Sequence, residues 1–367
     1  MPSTELVKEA ERVMVICNAC RYCEGFCAVF PAMELRRSFA EEDLIYLANL
    51  CHECRGCYYA CQYAPPHEFD VNVPKTFAEL RVETYQDFTW PHILSGLFRR
   101  NGLAVGLITA ASVTIILILI LALQGPSVLF SRHLGEGAFY AVIPYAAIVL
   151  PASGIFLYGL AVLTLGFFRF WRDTGGKISE LIDPRALMRA TQDAFGLKYM
   201  KGGGDGCNYP DHRFSHARRR LHHWVFYGFL LDFAATTIAA IYDHVFHWVA
   251  PYPYISLPVM LGTVGGVMLL IGTVGLLYLK WRSDPEPANR GQLGMDVAFL
   301  VLLFLTSLTG LLLLALRETP IMGSLLAVHL GFVTGLFLTL PYGKFAHAAY
   351  RYAALVRNSI EQSRNAL

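Results

Sequence analysis

The chain has 367 residues and a formal net charge of +2, so its charge gives no reason to expect a nucleic-acid partner. Hydrophobic residues make up 55% and charged residues only 16%, where soluble domains carry about a quarter charged, which argues against a wholly water-soluble protein. The length allows two or three domains, and the apolar residues gather after residue 100 in long blocks, the pattern of a polytopic membrane protein.

In chain order, Met1 to Val13 reads as the start of an amphipathic helix with Ser3 or Thr4 as N-cap, without the apolar core of a cleaved export signal. Residues 17–61 then carry C-x2-C-x2-C-x3-C twice, as Cys17, Cys20, Cys23, Cys27 and Cys51, Cys54, Cys57, Cys61. This is the bacterial ferredoxin spacing, in which the fourth Cys of each run serves the other cluster. It assigns Cys17, Cys20, Cys23 and Cys61 to one [4Fe–4S] cluster and Cys51, Cys54, Cys57 and Cys27 to a second. Three thiolates two residues apart wrap three corners of a cubane, and the distant fourth locks the two halves together. Zinc would usually use one or two C-x2-C pairs, and a disulfide framework would need an oxidising compartment. Ala28 and Gln62 stand where the ferredoxin run has Pro. Between the runs, Ser38 and then Glu41, Glu42 and Asp43 open a helix that leads into Cys51. So small a domain would draw much of its folding energy from its clusters.

Phe69 to Pro74 reads as extended and Phe77 to Tyr85 as a short helix. Phe88, Trp90 and Phe98, with Arg99 and Arg100, form an interfacial approach to the bilayer. Six apolar spans follow near 102–123, 142–168, 223–246, 257–279, 296–316 and 324–342, each able to cross roughly 30 Å of hydrocarbon. Lys and Arg crowd the segment from Arg169 to Arg220, the loop with Lys280, Arg282 and Arg290, and the C-terminus, while the alternate loops carry only Arg132 and Arg317. The positive-inside rule therefore puts both termini and the clusters in the cytoplasm, on a multi-pass protein of a bacterial inner membrane. The expected domains are a cytoplasmic two-cluster ferredoxin-like unit over 1–98, a six-span membrane domain over 99–350 with a loop at 169–221, and a cytoplasmic tail over 351–367. In that loop, Asp183 caps a helix with Pro184 at its first position, running to about Tyr199. Cys207 follows a Gly-rich segment and is either incidental or close to a cluster or a partner's flavin. Its basic side chains would suit an acidic flavoprotein.

The histidines mark a second pattern. His329 and His347, eighteen residues apart, would share a face at the two ends of one helix, about 27 Å apart, with Pro341 able to bend it. His222 and His244 do nearly the same on the third span, offset by about 40° over about 33 Å, and His223 fits less well. The spans run antiparallel, so His222 or His223 meets His347 at the cytoplasmic level and His244 meets His329 at the outer level. Two levels of paired imidazoles are what one or two bis-His b-type haems require. His212, His216 and His247 lie near the same boundaries and could substitute. Asp232 is a mid-span carboxylate, either a proton carrier for quinone chemistry or a hydrogen-bonded packing residue. Gly262 and Gly266 fit the G-x-x-x-G helix-packing motif.

Three stretches together resemble the tricarballylate-utilisation protein B family, also called citrate-utilisation protein B: the doubled Cys run with Phe69-Asp70-Val71-Asn72-Val73-Pro74, the Arg219-Arg220-Leu221-His222-His223 approach to the third span, and Pro341-Tyr342-Gly343-Lys344-Phe345-Ala346-His347. The last stretch, with a His eighteen residues upstream, is similar to the dihaem gamma subunit of respiratory nitrate reductase. The resemblance implies a mainly α protein, a ferredoxin-like helical domain joined to a six-helix cytochrome b-like bundle. It also implies a soluble FAD dehydrogenase of the tricarballylate type as donor and the quinone pool as acceptor. A membrane redox sensor, or a heterodisulfide-reductase-like subunit without quinone turnover, would use the same clusters. A transporter would need broken helices in pairs.

Overall fold

The computed structural model describes residues 2–365. Met1, Ala366 and Leu367, which fall within the expected first domain and tail, lie outside the described residues. The chain is almost entirely helical, with one two-stranded ribbon, β1 (Cys207–Asn208) against β2 (Phe214–Ser215).

Five helices build the N-terminal unit: α1 (Thr4–Cys20), α2 (Val29–Glu34), α3 (Glu41–Leu50), α4 (Gly56–Tyr59) and α5 (Val73–Phe88). Ser3 caps α1, its hydroxyl accepting the Leu6 N–H at 3.4 Å. Arg21 ends α1 in the left-handed region at φ 56° and returns its N–H to Cys17 O at 2.8 Å. The three acidic residues in the first turn of α3 sit where the helix dipole favours them. Asn72 caps α5, accepting from the Lys75 N–H at 3.2 Å, so the helix starts earlier than the Phe77 expected from sequence.

Among the described residues six helices are long and apolar enough to cross a membrane, and the chain is a multi-pass membrane protein. They are α6 (Asn101–Gln124), α8 (Tyr145–Asp173), α10 (Ala217–Val245), α11 (Leu257–Trp281), α12 (Leu293–Leu316) and α13 (Met322–Thr339), with a short α7 (Ala138–Val142) on the far side and α9 (Pro184–Phe195) in the large loop. Asp183 caps α9, accepting the N–H groups of Arg185 and Ala186. α10 packs on α11, α11 on α12, α12 on α13 and α6, and α13 on α6 and α8. The α10–α11 contact is backbone-close: a Cβ on Gly265 would lie 2.8 Å from Gly228 O. Of the G-x-x-x-G pair, Gly262 lies on that seam, facing Ala235 of α10, whereas Gly266 faces Leu311 of α12.

Two expectations are corrected at the C-terminal end. His329 and His347 do not lie on one helix. Helix α13 stops at Thr339, a single 3-10 turn covers Leu340–Tyr342, Gly343 is extended at φ −137°, ψ −159°, and a new helix α14 runs over Ala346–Asn365. Pro341 brings no N–H to the ladder, and the Asn101 amide side chain donates to the freed Tyr342 O at 2.8 Å. Lys344 pairs with Asp296 of α12 at 2.7 Å, and Lys280 of α11 pairs with the same carboxylate at 2.5 Å. Nor are residues 351–365 a trailing tail. Ala353, Ala354, Leu355 and Val356 are buried in one core with Val13 and Met14 of α1, Leu44 and Leu47 of α3, and Phe77 and Leu80 of α5. Alanines on α14 let α9 and α3 approach closely, while Arg36 joins α14 to the N-terminal unit through Glu361 at 2.7 Å. The extramembrane unit is thus built from three separate stretches of chain.

Candidate functional site

The two Cys runs fold as near repeats. In each, a helix delivers the first cysteine or two and left-handed residues turn the chain back: Arg21 in the first, Glu53 and Arg55 at φ 55° and 64° in the second. Backbone N–H groups point at sulfur, from Glu53 to Cys51 Sγ and from Tyr63 to Cys61 Sγ, each at 3.4 Å. The thiols sort into two groups by their neighbours. Burial, then Cys61, Cys23 and Cys20, pushes the Cys17 thiol up to about 12. Burial, then Cys54 and Cys51, raises Cys27 well above the ordinary thiol range. Cys57 is raised likewise by burial, then by Cys54, Cys27 and Cys51 and, from the first group, Cys23. Each group is a crowd of thiols that cannot ionise together unless positive charge sits among them. Cys17, Cys20, Cys23 and Cys61 also line one cavity of about 530 Å³, which Cys57 of the second group reaches as well. Among the described residues no three His, Cys, Asp or Glu side chains close on a single-ion point. The first group is at the surface, with Cys20 exposed; in the second, Cys51 and Cys54 are buried.

A second cavity, of about 430 Å³, lies between the second Cys run and the membrane domain. Its membrane-side wall is apolar: Val225, Phe226, Phe229, Leu276, Phe299 and Leu303. Its opposite wall carries His52 and Glu53, which lie between Cys51 and Cys54, together with Arg218 and Arg351. His222 of α10 and His347 of α14 face each other inside it, ring centroids 6.4 Å apart and planes at 86°. The break after α13 makes this possible, because it re-aims the chain so that His347 begins a helix at the cavity rather than ending α13. The His347 Nδ1 bonds to Lys344 O, and His222 Nδ1 is buried without a hydrogen-bond partner. Burial, then Arg351 and Lys344, holds His347 well below the usual imidazole range, so its ring is neutral, the form that binds metal.

The profile of the citrate utilization protein B family matches residues 96–367, and that of the citrate utilization protein B Fer4-like domain matches residues 10–87. Citrate utilization protein B of Escherichia coli is 48% identical over 364 residues, covering 98% of this chain and 94% of that protein. The chain belongs to the citrate utilization protein B family. No solved structure matches. The family's Fer4-like domain is of the iron–sulfur type, and both Cys runs fall inside its match.

The other histidines of this family member have different surroundings. His223 turns outward, its Nε2 at 3.2 Å from Phe195 O and its ring against Tyr227. His244 is largely exposed on its side chain, at 56%, with Nε2 at 2.9 Å from the Tyr145 hydroxyl and Nδ1 at 2.9 Å from Ala240 O. His329 points at α12, its Nδ1 at 3.1 Å from Thr309 Oγ1. His244 and His329 therefore face separate neighbours. Cys207 is buried beside the second thiol group, donating to Met200 O at 3.3 Å, while the Asn208 N–H donates to Cys54 O at 3.0 Å. The arginines of the cavity were not singled out as site residues from sequence; their signal was the Arg218-Arg219-Arg220 run directly ahead of His222.

Proposed function

We propose that this chain is a membrane-bound electron carrier that takes electrons from a soluble FAD dehydrogenase of the tricarballylate type and delivers them to the quinone pool. Cys17, Cys20, Cys23 and Cys61 would hold one [4Fe–4S] cluster, and Cys27, Cys51, Cys54 and Cys57 the other. His222 and His347 would hold one b-type haem from opposite sides. When bound, the clusters and the haem supply the one-electron chemistry that side chains lack.

The observation that carries the proposal is the facing of His222 and His347 at 6.4 Å beneath the second Cys run. Metal–nitrogen bonds of about 2.0–2.1 Å on both sides of one ion put two imidazole centres about 6 Å apart. The cavity is amphipathic in the same sense as a haem, apolar where a macrocycle would lie and cationic at Arg218 and Arg351 where carboxylates would. Lys344 O orients the His347 ring, which favours coordination through the far nitrogen. The apolar wall keeps water from the imidazoles. The proposal places its haem at His222 and His347 because that pair shares one cavity, whereas His244 meets the Tyr145 hydroxyl and His329 the Thr309 hydroxyl.

The loop between α11 and α12 grips the N-terminal unit. The Tyr59 hydroxyl donates to Asp284 at 2.6 Å, the Asn72 amide to Glu286 O at 2.9 Å and the Gln292 amide to Ala78 O at 3.0 Å. These contacts support a reading in which this basic loop and the Cys runs share one face of the bilayer, a face that the positive-inside rule would make cytoplasmic in a bacterial inner membrane. The test is the spectrum of the anaerobically purified protein. Broad iron–sulfur absorbance with sharp reduced b-haem bands supports the proposal; clusters without haem bands would remove the haem from it.

A further inference from the structure

The two thiol groups differ in the charge around them. Among the residues lining the cavity of the first, Arg21 is the one cation, and it is exposed to water. Around the second, arginines from three helices converge on the backbone of residues 48–53. Arg81 of α5 donates to Ala48 O at 2.9 Å and to Cys51 O at 3.3 Å. Arg351 of α14 donates to the same Cys51 O at 2.6 Å. Arg218 of α10 donates to Glu53 O at 2.5 Å and to His52 O at 3.3 Å. Glu53 pairs with Arg81 at 3.3 Å and offsets one of the three charges. Arg218 and Arg351 remain, and both also line the cavity that holds His222 and His347.

We infer that Arg218 and Arg351 raise the reduction potential of the second [4Fe–4S] site above that of the first, so that the exposed first site receives electrons and the buried second site passes them to the haem that His222 and His347 would hold. The inference rests on the proposed function and names the order of its sites. Reduction adds one negative charge to a cluster. A fixed cation in a poorly hydrated setting stabilises that charge strongly, whereas a solvated Arg21 is screened. Net charge, hydrogen bonding and exposure are the protein's handles on cluster potential. Burial alone would disfavour the more negative reduced form, each group has one backbone N–H on a cysteine sulfur at 3.4 Å, and the fixed arginine charge is what separates the second site from the first. Each transfer moves one electron: the first site is oxidised as the second is reduced, with no bond or proton exchanged. Arg218 and Arg351 are positioning residues, acting on the cluster through Cys51, His52 and Glu53.

A potential separates this role from a purely structural clamp. Redox titration of the full-length protein, followed by electron paramagnetic resonance, gives a midpoint for each cluster, and Cys20→Ser identifies the first-site signal. Arg351→Gln keeps a hydrogen-bond donor and loses the charge; it should lower the second-site midpoint and leave the first unmoved. Arg351→Lys keeps the charge and should restore the second-site midpoint. Arg218→Gln and Arg218→Lys repeat the comparison from another helix should Arg351→Gln fail to assemble. Unchanged midpoints in both Gln variants, or equal shifts at the two sites, would overturn the inference. Absence of cluster signals from the unaltered protein would instead overturn the proposed function, and missing haem bands would leave the cluster midpoints readable.

Discussion

The end of the membrane domain beneath the Cys runs and the end remote from them carry the same ingredients and are built differently. At the first, His222 and His347 come from helices whose polar ends lie under a folded domain, and they share one cavity. At the second, His244 and His329 sit on α10 and α13 and turn to Tyr145 and Thr309. Helical spacing brings a side chain to a level in the bilayer. Pairing needs a further element that closes the distance, and the break at Pro341–Phe345 supplies it on one side alone. A single cofactor site on the side of the clusters would keep the whole path from donor to quinone near one face.

His347→Ala breaks this contrast most sharply. It should abolish the haem bands outright, and His222→Ala should do the same, with iron–sulfur absorbance intact. Asp296→Ala comes next, leaving Lys280 and Lys344 without the carboxylate they share. Losing one partner of such a network costs about 3 kcal/mol, to be read as a lower unfolding midpoint in detergent and weaker haem retention. Asn101→Ala removes the donor to Tyr342 O at the helix break. A buried carbonyl left unpaired costs about 1–3 kcal/mol, so haem occupancy should fall in part while the six spans still assemble. His244→Ala should change the spectrum least, with one haem retained at its normal position. Loss of half the haem in that variant would show that the outer pair also works.

Much of this was legible in sequence. The doubled Cys spacing, the six apolar spans and the alternation of loop charge each depend on short-range pattern. Asp183 and Ser3 cap the helices they precede. What escaped was set by packing. A Pro within a membrane helix permits a bend or a stop. The stop at Thr339 is fixed by Asn101 and Asp296, on α6 and α12, which local pattern does not connect to Pro341. The alanine-rich face of α14 reads as a polar tail by composition, because its partners lie some three hundred residues earlier. The arginines over Cys51 and Glu53 come from three distant helices, so their convergence has no sequence period.

The most direct test of the central claim is haem content per chain, measured by pyridine haemochrome on the anaerobically purified protein and on its His347→Ala and His244→Ala variants. The account predicts one b haem in the unaltered protein, none in His347→Ala and one in His244→Ala. No haem in the unaltered protein, or haem that survives His347→Ala, would contradict it.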